Sequence, residues 1–392
     1  MGRFPSLRRA ALCVLTAALL SAVGSWVAPA HADPSPTCTA DLDGDGQVGP
    51  GDLAAVAAGL GARGCPGGCP GDAEGDGDTD GTDLLALVRE LGRTDCAPAP
   101  VSAGAPVDGY PSWPERTVLA LTNAVRVAPR EYAARYLPLS GYDGSRVLQA
   151  YPAAAPLAWS LDLNRSARAH SRDMAENGCW GHDSCDGTPW SQRLWSFAPW
   201  ARALGENIAA GTVLTDPLDA VNGLLWDRGA ADYTSGAGHR TNMMSPTFER
   251  LGAGFASGSG FYRNYWTQDF AAPAVPPPAG PPLLGGSHGL WSRGEVTFLA
   301  TYHDPVTGRP PRRVAVVVDG TDYPMALDLG TPASGTYART LPLADGCRTY
   351  HFLAVDAQGT PWRYPAPGAF RTFGEGGCPE DYGGEAGESL ER

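Results

Sequence analysis

The sequence predicts a multidomain chain with three parts: a small α module, a central α+β domain and a C-terminal all-β sandwich. Three observations carry this reading. A unit of thirty-one residues occurs twice near the start. Between residues 115 and 271, helix-period runs come first and strand-like runs mostly later. After residue 287, short apolar or alternating runs recur between turn residues. The length, 392 residues, also exceeds one typical domain.

Residues 1–32 read as an export signal. Arg3, Arg8 and Arg9 supply a positive start, Ala10–Val23 an apolar run, and "AHA" at 30–32 a small-residue cleavage pattern. The expectation is a secreted, extracellular chain with no integral membrane span in its mature part. Of nine cysteines, Cys13 falls in this signal; the other eight form an even set suited to disulfides in an oxidising compartment. The formal charge is −13, and −16 once the three arginines of the signal are removed. Residues 33–96 hold thirteen acids and three arginines, a net −10, so the acidity sits mainly in one module and argues against a nucleic-acid partner. The chain has no lysine; arginine carries every basic charge.

The repeat lies in residues 33–96. Cys38, Asp41, Asp52 and Cys65 return thirty-one positions later as Cys69, Asp72, Asp83 and Cys96. Each copy contains a twelve-residue loop, "DLDGDGQVGPGD" and "DAEGDGDTDGTD". Calcium takes about six to eight oxygens on a flexible loop, with glycine at the sharp turn. The first loop offers Asp41, Asp43, Asp45, the carbonyl of Gln47, and Asp52. The second offers Asp72, Glu74, Asp76, the carbonyl of Asp78, and Asp83. Two calcium ions are therefore expected. An apolar helix follows each loop, "LAAVAAGL" and "LLALVREL". The arrangement resembles the dockerin family, which implies a calcium-folded module that docks onto a cohesin-like or cell-surface partner. Two features depart from that family. Loop positions 10 and 11 are Pro50–Gly51 and Gly81–Thr82 instead of paired hydroxyl residues, and four cysteines are additional. The repeat symmetry permits all three pairings of Cys38, Cys65, Cys69 and Cys96.

Residues 97–114 and 272–286 are Pro-rich and read as linkers. Residues 287–378 carry the runs "GEVTFLATYHD", "RRVAVVVDG" and "YHFLAVDAQG", the pattern of an all-β sandwich. This segment resembles the immunoglobulin-like modules of secreted bacterial proteins, with Cys347 and Cys378 expected to pair. Residues 379–392 are Gly/Glu-rich and expected to be disordered.

The central segment, 115–271, opens with a helix whose apolar face is Val118, Leu121 and Val125. A second helix over Leu161–Asn177 places His170 in line with Leu163, Ala167 and Met174. Cys179 and Cys185 bracket His182, and a disulfide between them closes a tight loop with His182 at its apex. "GENIAAG" sets Glu206 in a glycine-flanked turn. "DPLDAVNGLLWD" begins a helix capped by Asp216, and "GHRTNMM" presents His239. "FYRNYWTQDFA" reads as the closing strand.

"NAVR", "PLAWSLDLNRSARAHSRDM", "WGHDS", "GENIA", "GHRTNMMSPTFERLGAGF" and "YWTQDF" together resemble the CAP superfamily of cysteine-rich secretory, venom-antigen and pathogenesis-related proteins, in its bacterial form. The resemblance implies an α-β-α sandwich with a cleft of two histidines and two acids. By motif these are His182, Glu206 and His239, with His170 an extra histidine of the bacterial branch. The family's second glutamate corresponds to Gly229, which leaves Asp227 as the nearest substitute.

Two imidazoles and a carboxylate suit zinc. Two functions follow. The first is a secreted binding protein whose cleft takes a metal, a small apolar molecule or lipid, or a cell-wall ligand, with a calcium-stabilised docking module. The second is an extracellular zinc-dependent hydrolase of peptides or wall polysaccharides, with Glu206 as general base. The sequence offers no "HExxH" pair and no nucleophilic serine in a "GxSxG" elbow, and the binding role is the main expectation.

Overall fold

The computed structural model describes residues 38–42, 48–63, 69, 71–73, 78–93, 96, 106, 110–227, 238–275, 280–292, 294–342, 347–366, 368–372 and 381–383. The export signal, Asp43, Asp45, Gln47, Glu74, Asp76, Cys378 and most of the tail lie outside the described residues. Residues 381–383 are described, and Tyr382–Gly383 form a short strand where disorder was expected, because they pair with Ala369 and Phe370.

In the acidic module, α1 (Pro50–Gly59) and α2 (Gly81–Glu90) each follow one loop. Asp52 and Asp83, the last residues of the two loops, are both buried. Asp52 accepts the backbone N–H of Leu42 at 2.5 Å and of Gly49 at 2.7 Å. Asp83 accepts those of Ala73 and Asp80, both at 2.7 Å. Each carboxylate thus ties the start of its loop to the end and caps the helix behind it. The backbone repeats this symmetry. Val48 N–H donates to Arg93 and Gly92 N–H to Val48, each at 2.9 Å; Thr79 N–H donates to Ala62 at 2.9 Å and Gly61 N–H to Thr79 at 2.7 Å. Every atom of one pair is thirty-one positions from its counterpart, so the two halves embrace each other about a local two-fold. Of the three pairings the repeat permits, Cys38–Cys96 is formed, and Cys69 is disulfide-bonded as well.

The central domain is a sheet between two helical layers. In chain order its elements are α3 (Trp113–Val127), α4 (Pro129–Arg135), β1 (Ala158–Trp159), α5 (Leu161–Asn177), α6 (Trp190–Phe197), β2 (Ala201–Ala210), α7 (Pro217–Trp226), α8 (Gly238–Met244), β3 (Arg250–Ser257) and β4 (Asn264–Pro273). The strand order is β1-β3-β4-β2, antiparallel except that β1 runs parallel to β3. All ten residues of β4 are buried, so the segment read as a closing strand is central, and β2 is the outer one. Alternation on β4 separates the layers. Trp266, Phe270 and Ala272 join the core made with α3 and α7, while Tyr265 and Ala271 join the clusters under α5. Helix α5 approaches β3 closely because Gly252 and Gly254 carry no side chain. A Cβ on Gly252 would lie 2.1 Å from the backbone nitrogen of Asn164, and one on Gly254 2.3 Å from the carbonyl carbon of Ala167.

The C-terminal part begins with β5 (Leu283–Ser292), β6 (Glu295–His303), β7 (Arg313–Val318), β8 (Thr321–Pro324) and β9 (Ala326–Thr331). It continues with β10 (Ser334–Pro342), β11 (Thr349–Val355), β12 (Pro361–Tyr364), β13 (Ala369–Arg371) and β14 (Tyr382–Gly383). One sheet has the order β5-β6-β10-β9, and the other runs β14-β13-β11-β7-β8 with β12 paired to β11. Phe298, Tyr302 and Tyr337 of the first meet Val316, Phe352 and Phe370 of the second in one core. The Pro-rich junction is narrower than its composition implied: β4 runs to Pro273 and β5 starts at Leu283. Cys347 is disulfide-bonded.

Helix α3 departs most from its sequence pattern. Every residue from Glu115 to Val127 is buried, not one face alone. The central core covers one side and the C-terminal sandwich the other. Trp113 stacks on His288 at 5.1 Å and donates its indole N–H to the His288 carbonyl at 2.8 Å. Thr117 bonds Ser287 at 2.7 Å, and the Arg116 guanidinium lies 3.9 Å over the Phe370 ring and 3.2 Å from Asp381. The acidic module also meets the sandwich: Asp41 and Asp72 share a cavity of about 240 Å³ with Arg312 and Arg313. No helix among the described residues is long and apolar enough to cross a membrane.

Candidate functional site

The cleft is built at the outer strand, β2, where three segments converge. The first is the loop that follows α5. Gly178 ends that helix in the left-handed region, with φ of 74°. The Cys179–Cys185 disulfide then closes the next seven residues into a loop, with its Cα atoms 5.5 Å apart. Two side chains of α5 pin the loop from below. His170 Nε2 bonds the Gly181 carbonyl at 2.9 Å, and Asp173 accepts the Cys185 N–H at 2.7 Å. His182 stands at the apex with its side chain 47 % exposed.

The second segment is β2 itself. Glu206 lies within the strand, not in the turn its glycine neighbour implied. Gly205 serves a close approach instead: a Cβ there would sit 2.8 Å from the Phe248 ring. Alternation turns Glu206 and Asn207 to opposite faces. Asn207 bonds the His239 carbonyl at 3.2 Å and Gln268 at 3.0 Å. Glu206 Oε1 lies 2.8 Å from His182 Nδ1, and Oε2 accepts from Arg193 of α6. The Glu206 side chain is only 1 % exposed. Arg193 also donates to the His182 carbonyl and to Ser184 Oγ, both at 3.0 Å.

The third segment is formed by the end of α7 and the start of α8. Asp216 caps α7 by accepting the Leu218 N–H at 2.7 Å. Asp227 ends the helix with φ of 44°, and this left-handed turn brings its carboxylate to 3.4 Å from His239 Nδ1. Asp227 therefore does reach a histidine, despite its short side chain. The cleft holds two pairs, His182–Glu206 and His239–Asp227. In each, the carboxylate lies nearest Nδ1; at His182 the contact is a hydrogen bond and favours the tautomer with Nε2 unprotonated, while at His239 it is a charge contact only.

His182, Glu206 and His239 are not among the sets of three ligand atoms within 4.8 Å of one another; among the described residues those sets are Asp173–Cys179–Cys185 and Asp78–Asp80–Asp83. His170 is fully buried behind the loop and positions it. Burial is the main cause that lowers the pKa of His170 and of His239; the charges of Glu206 and Asp227, respectively, oppose it.

Two residues of this site were not singled out in the sequence: Arg193, and Asp269, which lies within the motif "YWTQDF". Asp269 on β4 is paired in register with Glu206 and is fully buried. Burial and the neighbouring Glu206 charge push its carboxyl well above the usual range.

Residues 119–270 match the family model described as the Cysteine-rich secretory protein family, CAP. The chain is 33 % identical over 117 residues to the uncharacterized protein YkwD of Bacillus subtilis (strain 168); the match covers 29 % of this chain and 39 % of that one. Among solved structures, an extracellular protein containing a SCP domain from Bacillus anthracis str. Ames is 30 % identical, with 30 % of this chain and 34 % of that chain covered and a TM-score of 0.24. Schistosoma mansoni venom allergen-like protein 4 is 15 % identical, with 42 % and 91 % covered and a TM-score of 0.28. The chain thus spans well under half the length of the curated relative it matches. Residues 119–270 are a CAP domain, carried within a longer chain.

Proposed function

We propose that this is an exported binding protein whose CAP cleft takes a divalent cation, zinc being the best match, and whose acidic repeat is a calcium-stabilised docking module. The observation that carries the first part is the His182–Glu206 pair. A buried carboxylate holds one face of a half-exposed imidazole and leaves Nε2 open to the cleft. His182 and His239 would hold the ion through Nε2, with Glu206 and Asp227 behind them as orienting groups. Zinc sites ordinarily carry three or four protein ligands, so two imidazoles with water in the remaining positions make a sparse, open site, and a bound zinc would supply a Lewis acid. The same geometry favours binding over hydrolysis. Both oxygens of Glu206 are engaged, by His182 and Arg193, so it is not poised as a general base.

Calorimetric titration of the full chain with zinc, in saturating calcium, tests this. One zinc per wild-type chain is expected, weakened at least about tenfold in His182→Ala and in His239→Ala. A wild type that takes no zinc would remove the metal from this reading. Hydrolysis of a peptide or wall polymer by pure protein, lost in His182→Ala, would replace binding with the hydrolase.

The calcium assignment rests on the two loops and on the matched poses of Asp52 and Asp83. Asp78, Asp80 and Asp83 also bring three carboxylate oxygens within 4.8 Å of one another. A cell-surface or cohesin-like partner for the module, and export through residues 1–32, belong to the same proposal. The Bacillus anthracis relative is itself described as extracellular.

A further inference from the structure

A second cavity lies beside the histidine cleft. It measures about 850 Å³ and is bounded by the end of α5, the disulfide loop and α6. Its lining includes His170, Asp173, Asn177, Asp186, Arg193 and Phe197, but none of His182, Glu206 or His239. The volume is that of a small-molecule site.

Two of the lining side chains carry a buried polar atom with no partner. His170 is fully buried; its Nε2 faces a carbonyl and must carry the proton, so Nδ1 is a bare acceptor, and it is unmatched. Arg193 is 7 % exposed, and its Nε–H is a donor without an acceptor. Unmatched buried groups of this kind are costly, so their presence together on one cavity wall calls for a ligand able both to donate and to accept.

The charges narrow the choice. An anion would meet Asp173 and Asp186, and a cation would meet Arg193. A neutral hydroxylated ligand avoids both conflicts, since each hydroxyl donates and accepts. Apolar surface for such a ligand is at hand. Phe197 is part of the wall. Cys179, also in the wall, packs in the same cluster as Tyr262. The next residue, Trp180, is 46 % exposed with its ring 5.4 Å from that of Tyr262, and Phe261, 86 % exposed, lies 4.9 Å from the same ring. Trp180, Tyr262 and Phe261 form an aromatic ledge on the protein surface.

We propose that this cavity and ledge form a binding site for a neutral saccharide, one unit seated among His170, Arg193 and the acids and the chain continuing over the aromatic rings. The site is separate from the metal cleft and does not depend on it.

The test is calorimetric titration of the full chain with two probes, the N-acetylglucosamine tetramer and cellotetraose. Saturable binding of at least one is expected. It should persist in His239→Ala, which disables the metal cleft alone, and so distinguishes failure of the two sites. It should weaken about tenfold in Phe197→Ala and in Trp180→Ala, the weight of one good stacking contact. Asp186 is exposed and its replacement leaves the core untouched, so Asp186→Ala, expected to weaken binding severalfold, guards against misfolded variants. Absence of binding by both oligosaccharides would overturn the proposal. So would binding that Phe197→Ala, Trp180→Ala and Asp186→Ala all leave unchanged.

Discussion

Arg193 joins the cleft at the scale of single atoms. Its guanidinium reaches the His182 carbonyl, Ser184 Oγ and Glu206, and so links the disulfide loop to β2. Removing it would leave a carboxylate that is 1 % exposed with one imidazole as its remaining partner. Arg193→Met should cost about 3–5 kcal/mol in chemical denaturation, and adding Glu206→Gln should recover part of that loss. A neutral Arg193→Met would show that the pair contributes little. The histidines and Glu206 were legible because their residue types and motifs name a chemistry. Arg193 was not, because an arginine within "SQRLW" reads as part of a solvated helix face. Asp269 was hidden for another reason: the β2–β4 register chooses its neighbour, and no local pattern encodes register. Asp227 stands near His239 because a left-handed backbone turn ends α7, and side-chain identity does not encode that turn.

At the scale of elements, α5 was readable from spacing, since it buries one face, and α7 from its Asp216 cap and the buried Leu218, Val221 and Leu225. Helix α3 was not, because a periodicity argument assumes a solvated side, and the C-terminal sheets occupy that side. Thr122, Asn123 and Arg126 bond within the central domain, while Arg116 and Thr117 face the sandwich. His288 reports on this contact. Burial first, then the nearby Arg116 charge, holds its imidazole well below the ordinary 6.5. As pH falls below 6.5 the unfolded chain takes the proton and the folded chain does not, so the stability His288 contributes is complete above that pH and lost below it. Glu115 acts in the opposite sense. Its carboxyl is raised from 4.5 to about 7, chiefly by burial, so its contribution declines as pH rises between those values. The difference between wild type and His288→Gln is therefore the useful measurement. Between about pH 7.5 and about pH 5, wild type should lose more of its unfolding midpoint than the variant does. Parallel losses would remove His288 from the account.

At the scale of the whole molecule, three compositionally distinct regions were visible in the sequence, but their contacts were not. The acidic module meets the sandwich where Asp41 and Asp72 share a cavity with Arg312 and Arg313. If calcium orders the two loops, chelation should expose 38–96 to limited proteolysis and leave a resistant body from about residue 110 onward. Identical digestion with and without chelator would refute the calcium assignment. The helix shared by the other two regions matters in genetic terms too. Because α3 uses both its sides, the proline-rich seam between β4 and β5 is a boundary in composition but not in folding. A recombination event there would hand the CAP segment a new neighbour and strip Arg116, Thr117 and Trp113 of their partners at Asp381, Ser287 and His288. Only an incoming module with a matching surface would be tolerated. These two domains are set to be inherited as a single unit.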